Sequence, residues 1–146
     1  MEIIYKEFSK KHLDSIVSLD KICFKLCWSK GIFENELEKQ NSKYYVALCD
    51  NKVVGYIGTN YILDEADITN IAVLPEFRNQ KIATKLLDMM IKFLKSIDIS
   101  ILNLEVRESN TDAINLYNKF DFKIVGQRKN YYQDNNETAL LMTKFL

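Results

Sequence analysis

The sequence predicts an α/β domain built on a mixed sheet with helices on both faces. Three observations carry this. Two β-branched and aromatic runs flank a tight turn in the first half, and strand and helix patterns alternate through the second half. The 146 residues are 47% apolar and 12% aromatic, enough to bury one core and too few for two ordinary domains. One globular domain, residues 1–146, is therefore expected.

The elements follow in order. IIYKEF, residues 3–8, reads as a short strand. In HLDSIVSLDKICF the residues Leu13, Ile16, Val17, Asp20 and Phe24 recur at helical spacing, with Ile16, Val17 and Phe24 marking the apolar face. Ser29 is placed to cap a second helix in WSKGIFENELEKQ, which breaks at Asn41 and Ser42. YYVALCD and KVVGYIGTNYILD, joined at Asp50 and Asn51, form a hairpin, and ADITNIAVL is the next strand.

Ile82, Leu86, Met89, Met90, Phe93 and Ile97 then recur at threes and fours, which predicts a helix from Lys81 to about Ser96. SILNLEV is a strand and SNTDAINLYNKF a capped helix. FKIVGQRKNYY and TALLMTKF close the chain as two more strands.

Twenty basic residues balance twenty acidic ones, so no whole-protein field points to nucleic acid or an anionic membrane. MEIIYKEFSK lacks the pattern of a secretory signal, and no apolar run reaches the roughly 18 to 20 residues that span a bilayer. A cytoplasmic protein is expected. Cys23, Cys27 and Cys49 are an odd set without a CxxC, which fits reduced thiols packed as small hydrophobes. With His12 the sole histidine, no metal site is expected.

The stretch VLPEFRNQKIATKLL carries the only proline, Pro75, between a strand end and a helix start. The first backbone N–H groups of that helix have no internal partners, and the helix dipole puts partial positive charge there, so a diphosphate can use both. Arg78 and Lys81 add charge, and the amides of Asn79 and Gln80 can turn away. From the turn alone, a solvated strand-to-helix connection fits as well.

NIAVLPEFRNQKIATKLL resembles the acetyl-CoA-binding segment of the GNAT N-acetyltransferases: a strand, a turn of form (Q/R)xxGx(G/A), then a helix. Arg78 matches the first position of the motif and Ala83 the last. Lys81 stands where the family usually has its first glycine. Lying directly before a strong helical period, Lys81 is read as already helical, a setting in which lysine fits and its ammonium reaches the diphosphate.

Acetyl transfer to an amine needs the amine neutral, the thioester carbonyl polarised and the leaving thiolate protonated. Strand alternation sets Leu102, Leu104 and Val106 on one face and Ile101, Asn103 and Glu105 on the other. Glu105 can accept a proton there, or is a solvated strand residue. Tyr117, on the next helix, is a phenol able to protonate a thiolate, or a core residue beside Ile114 and Phe120. Backbone N–H groups of Ile71, Ala72 and Val73 can polarise a carbonyl if that strand bulges.

The likeness extends over nearly the whole chain and is nearest to the RimI-type enzymes, which acetylate the N-terminal alanine of a small-subunit ribosomal protein. It is carried by Trp28 and Ser29, LDEA from Leu63, NIAV from Asn70, LEVRESN from Leu104, AINLY from Ala113 and NYY from Asn130. The resemblance implies a mostly antiparallel sheet of six or seven strands with about four helices, and acetyl-CoA as co-substrate. It implies Glu105 as general base and Tyr117 as general acid. The implied acetyl-CoA contacts are Ile71, Ala72, Val73, Arg78, Asn79, Gln80, Lys81, Ile82, Ala83, Thr84 and Asn110. Two positions depart from the pattern: Cys27 where proline is common, and Asp121 where glycine usually follows the helix.

An acceptor groove for an extended peptide is expected at Trp28, Tyr131 and Tyr132, whose rings serve equally as core or edge packing. Three functions stay open at this point: an Nα-acetyltransferase acting on a protein N-terminus, a GNAT enzyme for a small amine such as a polyamine or antibiotic, and a catalytically silent CoA-binding module. Retention of Glu105 and Tyr117 argues against the last. The absence of an acidic cluster argues against a polycation pocket.

Overall fold

The computed structural model describes residues 2–146. Among them the elements run β1 (Ile4–Glu7), α1 (Leu13–Cys23), α2 (Lys30–Glu38), β2 (Ser42–Cys49), β3 (Lys52–Ile62), β4 (Glu65–Val73), α3 (Ile82–Ser96), β5 (Ile101–Arg107), α4 (Thr111–Lys119), β6 (Lys123–Arg128) and β7 (Ala139–Phe145). The strands hydrogen-bond in the order β1-β2-β3-β4-β5-β7-β6. β4 and β5 pair parallel, while β1–β2, β2–β3, β5–β7 and β6–β7 pair antiparallel. The result is the expected mixed, mostly antiparallel sheet of seven strands with four α-helices.

By its contacts the chain forms two compact units, Met1–Asn60 with Thr69–Phe93, and Tyr61–Ile68 with Leu94–Leu146. In the first, β2 and β3 close through Asp50 and Asn51, both left-handed at φ 50° and 65°, the backbone of a type I′ hairpin turn. Tyr44 lies directly opposite Gly58 across this hairpin, and any Cβ at Gly58 would meet the tyrosine ring at 2.2 Å. Glycine is required there so that Tyr44 can lie across the sheet among Phe8, Phe33 and Tyr56, with ring centroids 5.8 to 6.5 Å apart.

Helix α1 buries Leu13, Ile16, Leu19 and Asp20, whereas Val17 and Phe24 are only half-buried. The apolar face expected at Ile16, Val17 and Phe24 is thus rotated. It turns because a carboxylate, Asp20, occupies the core with its own partners. Helix α3 begins at Ile82 and buries Ile82, Leu86, Leu87, Met90 and Ile91 along the part belonging to this unit. Cys49 is buried as expected of a small hydrophobe, but Cys27 is exposed because α1 has already ended at Cys23.

In the second unit, β5 alternates as its sequence does: Leu102, Leu104 and Val106 are buried and Glu105 is exposed. Asn110 caps α4 by accepting from the Ala113 N–H at 3.2 Å. The helix ends in a Schellman motif, with Phe122 N–H donating to Tyr117 C=O and Asp121 N–H to Asn118 C=O, both at 3.0 Å. Asp121 takes the left-handed position at φ 66°, and the Phe122 ring packs on Tyr117 at 5.6 Å. The strand expected through Tyr132 stops at Arg128, because Asn130 turns left-handed at φ 54°.

Candidate active site

The turn after β4 is held by Arg78, whose Nε donates to the Val73 carbonyl at 3.0 Å. Leu74 N–H donates to Val54 C=O at 2.8 Å, and Pro75–Phe77 form one 3-10 turn. Part of the Arg78 fork is therefore spent on fastening the turn, a role the sequence had not suggested. Asn79 and Lys81 both take left-handed backbone, at φ 63° and 62°.

This overturns the reading of Lys81 as helical. The helix starts one residue later, and Lys81 contributes only its carbonyl, which accepts the Lys85 N–H at 3.0 Å. The position needs positive φ, the reason a glycine would suit it. A non-glycine residue there costs about 1–2 kcal/mol. Ile82, Ala83 and Thr84 are the first residues of α3, so their N–H groups point out of the helix without intrahelical acceptors. The Ile82 side chain is only 2% exposed and faces Gly55, leaving its backbone N–H as the part able to meet a ligand. Arg78, Asn79, Gln80, Lys81 and Thr84 are exposed, while Ala72 and Val73 are buried and Ile71 is half-buried.

Two buried tyrosines brace β4 just before Ile71. Tyr44 Oη donates to Glu36 Oε1 at 2.9 Å and shares a 3.0 Å bond with Thr69 Oγ1. Tyr56 Oη donates to Asp20 Oδ1 at 2.6 Å and is bonded in turn by the Asn70 side chain. Burial raises the Asp20 carboxyl above its ordinary value, against the pull of its Tyr56 and Trp28 hydrogen bonds. The Trp28 backbone N–H donates to Asp20 Oδ2 at 2.8 Å, and separately its half-buried ring leans on Phe33 at 5.4 Å. The indole is thus pinned within α1, α2 and their connection. The sequence offered one signal for this brace, a carboxylate on an otherwise apolar helical stripe.

In the second unit the carboxylate of Glu105 stands beside two residues far along the chain. Its charge and a hydrogen bond to it push the Tyr131 hydroxyl above its ordinary value. Arg128 Nη2 lies 3.8 Å from Glu105 Oε1, and its guanidinium sits 5.5 Å from the Tyr131 ring centre. Tyr131 and Tyr132 pack edge to face at 5.1 Å. Burial raises the Tyr132 phenol, with Glu105 and Tyr131 adding to the shift.

Tyr117 is 3% exposed, and its phenol is raised well above the ordinary value by burial first and by Tyr132 second. Glu105, Tyr131 and Tyr132 therefore form one cluster, and the Tyr132 phenol acts electrostatically on Tyr117 in turn; the sequence had singled out all four residues but not these partners. Arg128 was missed because nothing local marks a residue of β6 that reaches over β7 to β5. Asn110 spends its side-chain oxygen on the α4 cap, leaving its amide nitrogen for any further contact. Among the described residues no group of three or more His, Cys, Asp or Glu is placed to hold a metal, and no helix is long and apolar enough to cross a membrane.

Residues 13–122 match the model of the Acetyltransferase (GNAT) family. A Bacillus subtilis protein, provisionally named a ribosomal protein bS18-alanine N-acetyltransferase, is 40% identical over 131 residues, covering 89% of this chain and 87% of that one. The ribosomal protein bS18-alanine N-acetyltransferase of Haemophilus ducreyi is 38% identical over 126 residues, 82% of this chain and 83% of its own. The crystal structure of the ribosomal-protein-S18-alanine N-acetyltransferase from Escherichia coli superimposes with a TM-score of 0.90 at 27% identity, covering 99% of this chain and 94% of that one. The mixed seven-stranded sheet and these likenesses agree: the chain belongs to the GNAT acetyltransferase family and is an acetyl-transferring enzyme.

Proposed function

We propose that the chain is an acetyl-CoA-dependent Nα-acetyltransferase whose acceptor is the N-terminal alanine of a ribosomal protein of the bS18 kind. The observation that carries the reading is the Glu105 site: an exposed carboxylate hydrogen-bonded by the Tyr131 phenol and flanked by the Arg128 guanidinium at 3.8 Å. The bS18-alanine relatives support the choice of acceptor.

In this reading the amides that open α3, with Lys81 and Arg78, hold the diphosphate of acetyl-CoA. Backbone N–H groups of Ile71–Val73 polarise the thioester carbonyl. Glu105 takes a proton from the acceptor amine, directly or through water, as its nitrogen forms the new C–N bond. The C–S bond then breaks, and the electron pair leaves on sulfur.

In this reading Tyr117 is the donor to that sulfur. Its raised pKa makes full proton transfer to a thiolate uphill, since the conjugate thiol has a pKa of about 8.5. Its part is to hydrogen-bond the developing charge, the solvent completing protonation of the thiol.

An α-amine titrates near 7.7–8.0 and lysine near 10.4, a difference of roughly 2.5 units or about 3.4 kcal/mol in the deprotonation step. A single carboxylate suits the first. The test offers two peptides, one with free N-terminal alanine and no lysine, the other with a blocked N-terminus and one internal lysine. Thiol release and intact mass are followed, with polyamines as a third arm. Acetylation of the free N-terminus well ahead of the others is expected; faster modification of the blocked peptide or of a polyamine overturns the reading.

A further inference from the structure

Arg107 lies two residues along β5 from Glu105, so the two side chains leave the same side of the strand. Its guanidinium grips Asp134 with both terminal nitrogens, at 3.1 and 3.0 Å, and also reaches Asn135 at 3.2 Å and Glu137 at 3.3 Å. The face of the same guanidinium rests on the Tyr132 ring, 3.9 Å from its centre. Glu137 accepts the Ser109 N–H at 2.8 Å through its other oxygen. Its backbone carbonyl accepts the N–H groups of both Tyr131 and Tyr132, at 3.1 and 3.2 Å.

The segment from Lys129 to Thr138, which joins β6 to β7 and carries both tyrosines, is thereby closed onto one arginine of β5. The arrangement is more than a surface ion pair. The Asp134 and Glu137 side chains are only 16% and 11% exposed, and the contact is bidentate and stacked at once. Lysine can reproduce neither the fork nor the stacking.

We infer that Arg107 is a positioning residue for the acceptor: by clamping the 129–138 segment it sets the Tyr131 hydroxyl against Glu105 and fixes how the acceptor's amine end approaches the carboxylate. The inference rests on the reading of Glu105 as the base. It deepens that reading by adding a second point, on the strand itself, where acceptor fit is decided. Arg107 touches no reacting atom; it acts through Tyr131 and Tyr132.

The test compares wild type, Arg107→Lys and Asp134→Asn with a peptide of free N-terminal alanine, measuring KM, kcat, acetyl-CoA affinity by calorimetry and melting temperature. The expected result is a rise in peptide KM of about tenfold or more in both variants, with kcat changed less than about threefold and acetyl-CoA affinity unchanged. An unchanged peptide KM overturns the inference. So does a joint fall in kcat, acetyl-CoA affinity and melting temperature, which marks a purely structural arginine. Should Arg107→Lys fail to fold, Asp134→Asn carries the comparison alone, because it keeps the arginine and removes only one partner's charge. Glu105→Gln, run in parallel, separates the two ideas: full turnover in that variant sinks Glu105 as base whatever the clamp does.

Discussion

The Tyr56 hydroxyl donates a 2.6 Å hydrogen bond to Oδ1 of Asp20, a carboxylate with no solvent exposure. Removing the donor strands a buried acceptor, so Tyr56→Phe is expected to cost roughly 1.5–3 kcal/mol at neutral pH. The folded-state pKa of Asp20 is raised, so the folded protein holds this proton more tightly than the unfolded chain does. The stability tied to that proton is full below the ordinary value of 3.8 and declines as pH rises through the folded value. The lost bond favours the ionised form. Urea unfolding of the variant at pH 7 and near pH 4 therefore returns a larger loss at pH 7, and equal losses contradict this account.

Lys81 invites a pair of substitutions that separate strain from charge. Lys81→Gly relieves the left-handed backbone and should stabilise the fold by up to about 1 kcal/mol, after the greater unfolded-chain entropy of glycine is set against the relief. Lys81→Ala keeps the strain. Both remove the ammonium, and both should weaken acetyl-CoA binding by roughly 1 kcal/mol at low salt and by less at high salt. Calorimetry at two ionic strengths, with melting curves of the three proteins, reads both effects. Unchanged affinity at low salt means that Lys81 points to solvent.

Tyr117→Phe deletes only the hydroxyl of a buried ring. If that hydroxyl serves the departing sulfur, kcat falls by about 10² to 10³ while acetyl-CoA affinity stays within a few-fold. Steady-state kinetics and calorimetry on one preparation decide the matter. Equal turnover returns Tyr117 to a packing role against Phe122.

The Glu137 carboxyl is held down at about 2 by the Ser109 side chain and N–H, with Asn135 and Arg107 adding to the effect. Because the folded value lies below the unfolded one, its stabilisation is present above about 4.5 and is lost as pH falls through about 2. The 129–138 segment should resist an acid protease near pH 4 and be cut early near pH 2. Cutting at the same rate at both values counts against the clamp.

Local signals were read well where the structure is local. Asp50 and Asn51 between two alternating runs gave the hairpin, Ser29 gave a helix start, and the alternation in ILNLEV set Glu105 on the face opposite Leu102, Leu104 and Val106. What escaped reading depends on partners far away in sequence. The buried face of α1 turns on Asp20, and its acceptance into the core depends on Tyr56, 36 residues later. Glu105 and Tyr131 meet because β5 and β6 share β7 as neighbour, a fact of sheet order that no spacing reveals. Lys81 was misread for a different reason: periodicity fixes which residues share a helix face but leaves the first turn's φ undetermined, and only the turn from Arg78 onward fixes that.

Among the described residues nine non-glycines adopt left-handed backbone, seven of them Asp or Asn, and no glycine does. Glycine in those turns would enlarge the ensemble of the denatured chain, whereas Asp and Asn keep that ensemble narrower at a modest local cost. The pattern also leaves headroom for protein engineering. Leu63, 92% exposed at φ 56°, has neither the local hydrogen bonding of Asn nor the freedom of glycine to excuse its conformation. Replacing it with Asn is a route to a hardier enzyme that leaves Glu105 and its tyrosines untouched.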